Sequence, residues 1–433
     1  MKNRRALLFL ASLCTVLVLG NLFASGVSGK KFSESFPASA CPPTGVGMSS
    51  LVSTASGNTP FRNVAGKISS FKKIKSSRYQ IASDPILIDG QQVTPVIWQS
   101  VPGSWAGSAI CSSPQGEQWF VGGAGDITSK GRLLLVNSGM SEAIVDVAVW
   151  SESGVQTGKV ISFPANSFTQ IKLDALAPGQ SKLTLRVIPR AGRVSAYMVD
   201  ERGRGLRSLG GDLVSPASAT SKDFVIAGIP HQIIKATPTS HILRILAPGG
   251  VSANVHVDLI SKDGTFAPVG LDQRSIAPGV VTEIVLAPEI AATAFSLRVQ
   301  SDQPVVAAVF SPLSLSGPRD FMWNTATPPL VPFTIAVTGL QPTLVFSGDE
   351  ISLKIDARLS SGKVQSSRIA GQDIVIWKSP TNALSLMISS VSNGVYGAVI
   401  VTSTSGVGGF PLTPGSVLTR AAIPNSNISV INR

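Results

Sequence analysis

Apolar and polar residues alternate with a period of two through much of the chain. In the clearest run Ala143, Val145, Val147 and Val149 point one way, and Ile144, Asp146 and Ala148 the other. That period belongs to a strand with one buried face. Phe168–Leu173 and Leu183–Val187 continue it. Turn formers separate the runs: Asn137-Ser138-Gly139, Ser153-Gly154, Ala177-Pro178-Gly179 and Ala191-Gly192. Short strands with such punctuation predict a β-sandwich or barrel.

The unit Leu133–Glu201 is written again further along. Arg244–Gly249 repeats Leu134–Gly139, Ser261–Gly264 repeats Ser151–Gly154, and Leu297–Val299 repeats Leu185–Val187. The offset is 110 residues at Gly154/Gly264 and 112 at Leu185/Leu297. A looser third copy shows Leu344–Gly348, Ser360–Gly362 and Leu386–Ile388. A repeat this long is a whole small domain, not a solenoid unit. The expected fold is all-β, with tandem Ig-like β-sandwich domains behind an N-terminal signal or anchor segment.

The boundaries predicted are 1–29 for that segment, 30–115 for a basic β module that is short or degenerate, 116–221 and 222–332 for two sandwiches, and 333–433 for a divergent third. The first two copies should superpose strand for strand. The connector Asp200–Thr220 is too full of Gly, Ser and Arg for a strand pair. It nevertheless carries Leu206, Leu209, Leu213 and Val214, and should pack along the domain boundary, burying them and fixing the angle between domains.

The start of the chain points outward. Met1–Arg5 is basic, and Ala6–Leu19 is apolar apart from Ser12 and Thr15. This suits a signal peptide. The apolar stretch to about Val27 also suits an uncleaved membrane anchor, and both stay open. Beyond it stand two cysteines, Cys41 and Cys111. An even count in an exported chain suggests one disulfide.

Charge adds a candidate surface. The 433 residues hold 36 Lys+Arg against 24 Asp+Glu, a formal charge of +12. Ser35–Ser83 contains no acid but includes Arg62, Lys67, Lys72, Lys73, Lys75 and Arg78. Of these, Lys67, Lys72, Lys73, Lys75 and Arg78 are the candidate polyanion contact. The partners expected are a cell-envelope protein or an anionic wall polymer or glycan, and a membrane through the N-terminal segment if it is uncleaved. Nucleic acid is disfavoured, because no aromatic-and-basic strand of the RNA-binding kind is present.

A family resemblance is carried by Cys111–Pro114, Trp119–Gly123, Leu134–Asn137, Val145–Val147, Ala177–Gly179 and the Gly-rich run Asp200–Asp212. These residues resemble a group of actinobacterial exported proteins known only as a domain of unknown function. The resemblance covers roughly 41–332 and implies a secreted or membrane-anchored envelope protein. It supplies no activity and no catalytic residues.

Candidate chemistry is sparse. His231, His241 and His256 lack metal-ligand spacing and have no acid at a motif distance. No Gly-x-Ser-x-Gly elbow is present. Asp200, Glu201 and Asp212 cluster, but Arg202, Arg204 and Arg207 among them favour a salt-bridged loop. No catalytic, cofactor-binding or metal residue is assigned, and no cofactor is expected. Trp105 and Trp323 sit in connectors and are candidate exposed aromatic contacts. The reading is a non-catalytic exported cell-envelope protein, structural or scaffolding. The alternative is a carbohydrate- or polyanion-binding module at the cell surface.

Overall fold

Strands of two to 21 residues, many of them joined by glycine turns, build four sandwiches in the computed structural model. Besides Thr15, it describes residues 38–55, 57–89, 93–234, 237–314 and 319–416. The span Ala38–Ser416 is one compact unit. Apart from Thr15, the predicted signal or anchor segment lies outside the described residues.

The first sandwich contains β1 (Ser39–Cys41), β2 (Ser49–Ser53), β3 (Thr59–Asn63), β4 (Lys72–Ile74), β5 (Arg78–Ile81) and β6 (Ile86–Ile88). The short β7 (Val93–Thr94) leads to β8 (Val96–Val101) and β9 (Trp105–Ile110). Its sheets run β1-β6-β3-β4 and β5-β2-β8-β9. The second is built of β10 (Gln118–Val121), β11 (Arg132–Asn137), β12 (Ala143–Ser151), β13 (Gly154–Phe163), β14 (Ser167–Lys172), β15 (Leu183–Ala191), β16 (Val194–Arg204) and β17 (Arg207–Val214). Its sheets run β10-β15-β12-β13 and β14-β11-β16-β17. Strand for strand, that is the order of the first sandwich with β7 set aside.

The third sandwich opens with β18 (Ser221–Pro230) and a two-residue ribbon, β19 (Ile233–Ile234) with β20 (Thr237–Pro238). It continues through β21 (His241–Leu246), β22 (Ala253–Ser261), β23 (Gly264–Phe266), β24 (Arg274–Ile276), β25 (Thr282–Leu286), β26 (Ala294–Ser314) and β27 (Arg319–Thr325). Here one long strand does the work of two. The first part of β26 pairs with β18 and β22, and the later part with β21 and β27. With β26 counted twice, the order is again the same.

The fourth sandwich holds β28 (Phe333–Ala336), β29 (Thr343–Leu359), β30 (Val364–Lys378), β31 (Ala383–Ser389), β32 (Tyr396–Ser403) and β33 (Gly406–Pro411). Its β29 and β30 each pass from one sheet to the other. The register shifts between Gly348 and Ile351, opposite Asp373, whose φ is +58°. Before the shift β29 pairs with β32, and after it with β31. Split there, the strands repeat the common order once more. The 30–115 module, expected to be short or degenerate, therefore holds a sandwich of the common strand order. In every sandwich the first two strands lie in opposite sheets, whereas an immunoglobulin domain keeps its first two in one.

The sandwiches are not strung out. The last strands meet around one centre: β9 packs on β17, β17 on β27, β27 on β33 and β33 on β9. The ring closes where β7 pairs in parallel with β28. Near the same seam Ser113 N–H donates to Gly415 O at 2.8 Å, and Gly415 N–H to Thr94 Oγ1 at 3.0 Å. Hydrophobic cores run across the boundaries. Trp105 shares one core with Tyr197 and Leu213, and Trp98 another with Leu344 and Phe410.

Two expectations are corrected here. The connector after the second sandwich is a strand pair up to Val214: Asp200–Arg204 pairs with Arg207–Asp212 in the β16–β17 hairpin. Leu213 and Val214 are buried, but Leu206 at the hairpin tip and Leu209 are exposed. Two of the glycines that suggested a linker, Gly210 and Gly211, are there for packing, as is Gly107 of the facing β9. A Cβ at Gly211 would lie 2.6 Å from the Trp105 ring, and one at Gly107 2.6 Å from Leu213 N. Strand glycine marks such close approach of another backbone.

Candidate functional site

The densest chemistry lies where the four last strands meet. Asp320 on β27 is buried, and its carboxylate accepts four backbone N–H groups. Oδ1 accepts from Gly211 at 3.0 Å and from Phe321 at 2.9 Å. Oδ2 accepts from Ala106 at 3.1 Å and from Val407 at 3.0 Å. Those four donors belong to the second, third, first and fourth sandwiches. One side chain therefore joins all four.

Two further acids surround it. Asp212 accepts from Leu213 N–H and Trp323 N–H, each at 2.8 Å. Asp200 accepts from Trp323 Nε1–H at 2.8 Å, Gly123 N–H at 3.2 Å and Arg202 Nη2–H at 3.0 Å. Arg244 is also buried. It donates to Glu283 and to Gly123 O and Leu183 O, and its guanidinium stands 4.7 Å from the Trp323 ring centroid.

Burial and pairing set the protonation of these acids. Burial raises Asp320 to about 6, against the pull of its four N–H donors. Burial, with the charges of Asp320 and Asp200, holds Asp212 well above the usual carboxylate range. Burial acts on Asp200 in the same direction, but the Arg202 guanidinium outweighs it and keeps Asp200 low. The junction's three acids and Arg244 thus form a hydrogen-bonded buried network, with Trp105 Nε1 beside them buried and unpartnered among the described residues, and such a network fixes one arrangement of the parts it joins.

The sequence candidates fall in separate places. Cys41 and Cys111 are bonded, S–S 2.06 Å. Lys67, Lys72, Lys73 and Lys75 are exposed between β3 and β5. Arg78 does not join them. Its guanidinium donates to Thr338 O at 3.2 Å and to Gly339 O, in the fourth sandwich. Trp105 and Trp323 are not exposed contacts: they are 0% and 1% exposed. Both lie in last strands, so the ring's closure covers them. Arg202 pairs with Asp200 and Glu201 with Arg132, at 3.0 and 3.3 Å, within strands rather than a loop.

The histidines also gain partners. His231 Nδ1 lies 3.0 Å from His241 Nε2, and His241 Nδ1 2.9 Å from Ser311 Oγ, all buried. Burial, with His231 alongside, lowers His241 to about 3. His256 faces Asp258 and Asp272, each at 3.0 Å. The first of those acids is two residues along the same strand face, a spacing that the sequence reading passed over. Among the described residues no group of three or more His, Cys, Asp or Glu is placed to hold a metal. A cavity of about 780 Å³ opens beside the junction, lined in part by Leu206, Arg207, Leu209, Arg319 and Phe321.

Sequence reasoning missed Asp320 and Arg244. The available signal was a lone acid before the apolar run Phe321-Met322-Trp323, and a lone Arg amid Ile242–Leu246.

A family of unknown function, DUF5719, matches residues 92–384. The chain belongs to that family. The DUF5719 match begins just before β7 and ends at the start of β31, so it includes β9, β17 and β27. No curated protein matches the chain. Among solved structures, it is similar to Thermotoga maritima 1070 at 13% identity and TM-score 0.21, over 25% of this chain and 93% of that one. Trypsin-activated alpha-2-macroglobulin from Escherichia coli aligns at 6% identity and TM-score 0.12, over 87% and 39%. The tetra-tandem repeat in the extending region of a large adhesion protein aligns at 7% and 0.08, over 87% and 95%. Scores of this size carry no argument.

Proposed function

We propose that this DUF5719 member is a non-catalytic exported protein of the cell envelope that acts as a rigid scaffold, meeting envelope proteins or wall polymers through the outer loops of its ring. The observation that carries the reading is the Asp320 carboxylate accepting an N–H from each of the four sandwiches. This buried polar chemistry holds the chain's own modules together. The Cys41–Cys111 bond suits an oxidising compartment, and the basic, then apolar, start of the sequence suits export.

Crosslinking in intact cells, with fractionation, tests the proposal. The chain should be recovered from the envelope, Cys41 and Cys111 oxidised, crosslinked to a surface protein or wall polymer. Recovery from the cytoplasm with both thiols free would overturn it.

A further inference from the structure

The turn between the third and fourth strands is tight in the second sandwich, Ser151–Gly154, and in the third, Ser261–Gly264. In the first sandwich it is an eight-residue loop, 64–71, between β3 and β4. The common fold does not need that length. From Ala65 to Lys73 every residue is exposed. Ile68 and Phe71 stand 48% and 44% exposed, with Lys67, Lys72, Lys73 and Lys75 beside them. Among the described residues the lysines with an ion pair are Lys182 and Lys354. Among the described residues Lys67 in the loop, and Lys72, Lys73 and Lys75 in and after β4, pair with no carboxylate.

The base of the loop is held. Gly66 N–H donates to Asn166 O at 2.7 Å. The buried Arg62 guanidinium donates to the Asn166 side chain and, at 3.2 Å, to Ser138 O, and stands 5.8 Å from the Phe71 ring centroid. The second sandwich thus anchors the root while the tip stays in solvent.

We infer that this loop is a peripheral membrane contact, with Ile68 and Phe71 entering the interface and the four lysines meeting anionic lipid headgroups. Cation and apolar side chain together are what a bilayer surface rewards. A soluble polyanion would use the lysines and leave Ile68 and Phe71 idle, which favours lipid over wall polymer. The inference rests on the envelope reading only for where lipid is met. Vesicle binding does not require export, so the two can fail separately.

The test is hydrogen exchange of the full chain with phosphatidylcholine vesicles and with vesicles rich in phosphatidylglycerol. Slowed exchange across 64–75 on the anionic vesicles alone is expected. The N-terminal apolar segment contributes the same background to every variant. Against it, Ile68→Ser with Phe71→Ser, and separately Lys67, Lys72, Lys73 and Lys75 all to Gln, should each weaken the anionic-dependent binding by about 10-fold or more. Unchanged exchange at 64–75 in the wild type would overturn the inference without recourse to any variant. So would protection by soluble polyphosphate that survives Ile68→Ser with Phe71→Ser, which would assign the loop to a polymer.

Discussion

Asp320 in the third sandwich accepts the backbone N–H of Ala106 in the first, across 214 residues of chain. The same oxygen accepts from Val407 in the fourth. An amide in place of the carboxylate would turn one of its two oxygens into a donor facing donors. Asp320→Asn should therefore leave two buried N–H groups unpaired and cost about 2–4 kcal/mol. Urea unfolding of both proteins measures it. An unchanged midpoint would mean that the hydrogen bonds to this carboxylate do not hold the junction.

The pH dependence has two parts of opposite sign. Asp320, at about 6 against the ordinary 3.8, binds its proton more tightly in the folded chain. Its stability contribution is present below about pH 4 and is lost as pH rises through 6. The stability difference between wild type and Asp320→Asn should narrow from pH 4 to pH 7. His241, held at about 3 against 6.5, works the other way. Its contribution is present above 6.5 and is lost as pH falls toward 3. His241→Phe should flatten that acid loss. Thermal unfolding against pH, for both variants, checks each slope.

The disulfide closes a loop of 70 residues in sequence separation. Cys41→Ser with Cys111→Ser should cost about 4 kcal/mol by the loop-entropy argument. Guanidinium unfolding of both proteins measures it, and a midpoint equal to wild type would contradict it.

Much of the fold was legible where strands were long and alternating. Ala143–Val149 and the turns at Gly154 and Gly264 place the second and third sandwiches. The first sandwich reads from sequence as short or degenerate because β1, β4 and β6 hold three residues each and show no period. The β16–β17 hairpin was read as a linker because Gly210 and Gly211 lower strand propensity. Only the tertiary neighbours Phe321 and Trp105 show why they are glycine. Trp105 and Trp323 looked exposed for the same reason: burial by another sandwich leaves no local pattern.

The hairpin tip at Gly205-Leu206 is the exposed point of that segment. Trypsin should nick the native protein at Arg204 or Arg207. The two pieces should stay together, since β17, after the nick, pairs with β16 and packs on β9, both of which lie before it. Native size-exclusion chromatography after cleavage reads this. Separate elution of the halves would contradict it.

Small-angle X-ray scattering tests the closed ring most directly. A compact body of the size of Ala38–Ser416 has a radius of gyration of about 21 Å, while four such sandwiches in an open row would give about 40 Å. The ring predicts a value in the low twenties for that body, with a single-peaked distance distribution. A value near 40 Å with a long tail would contradict it.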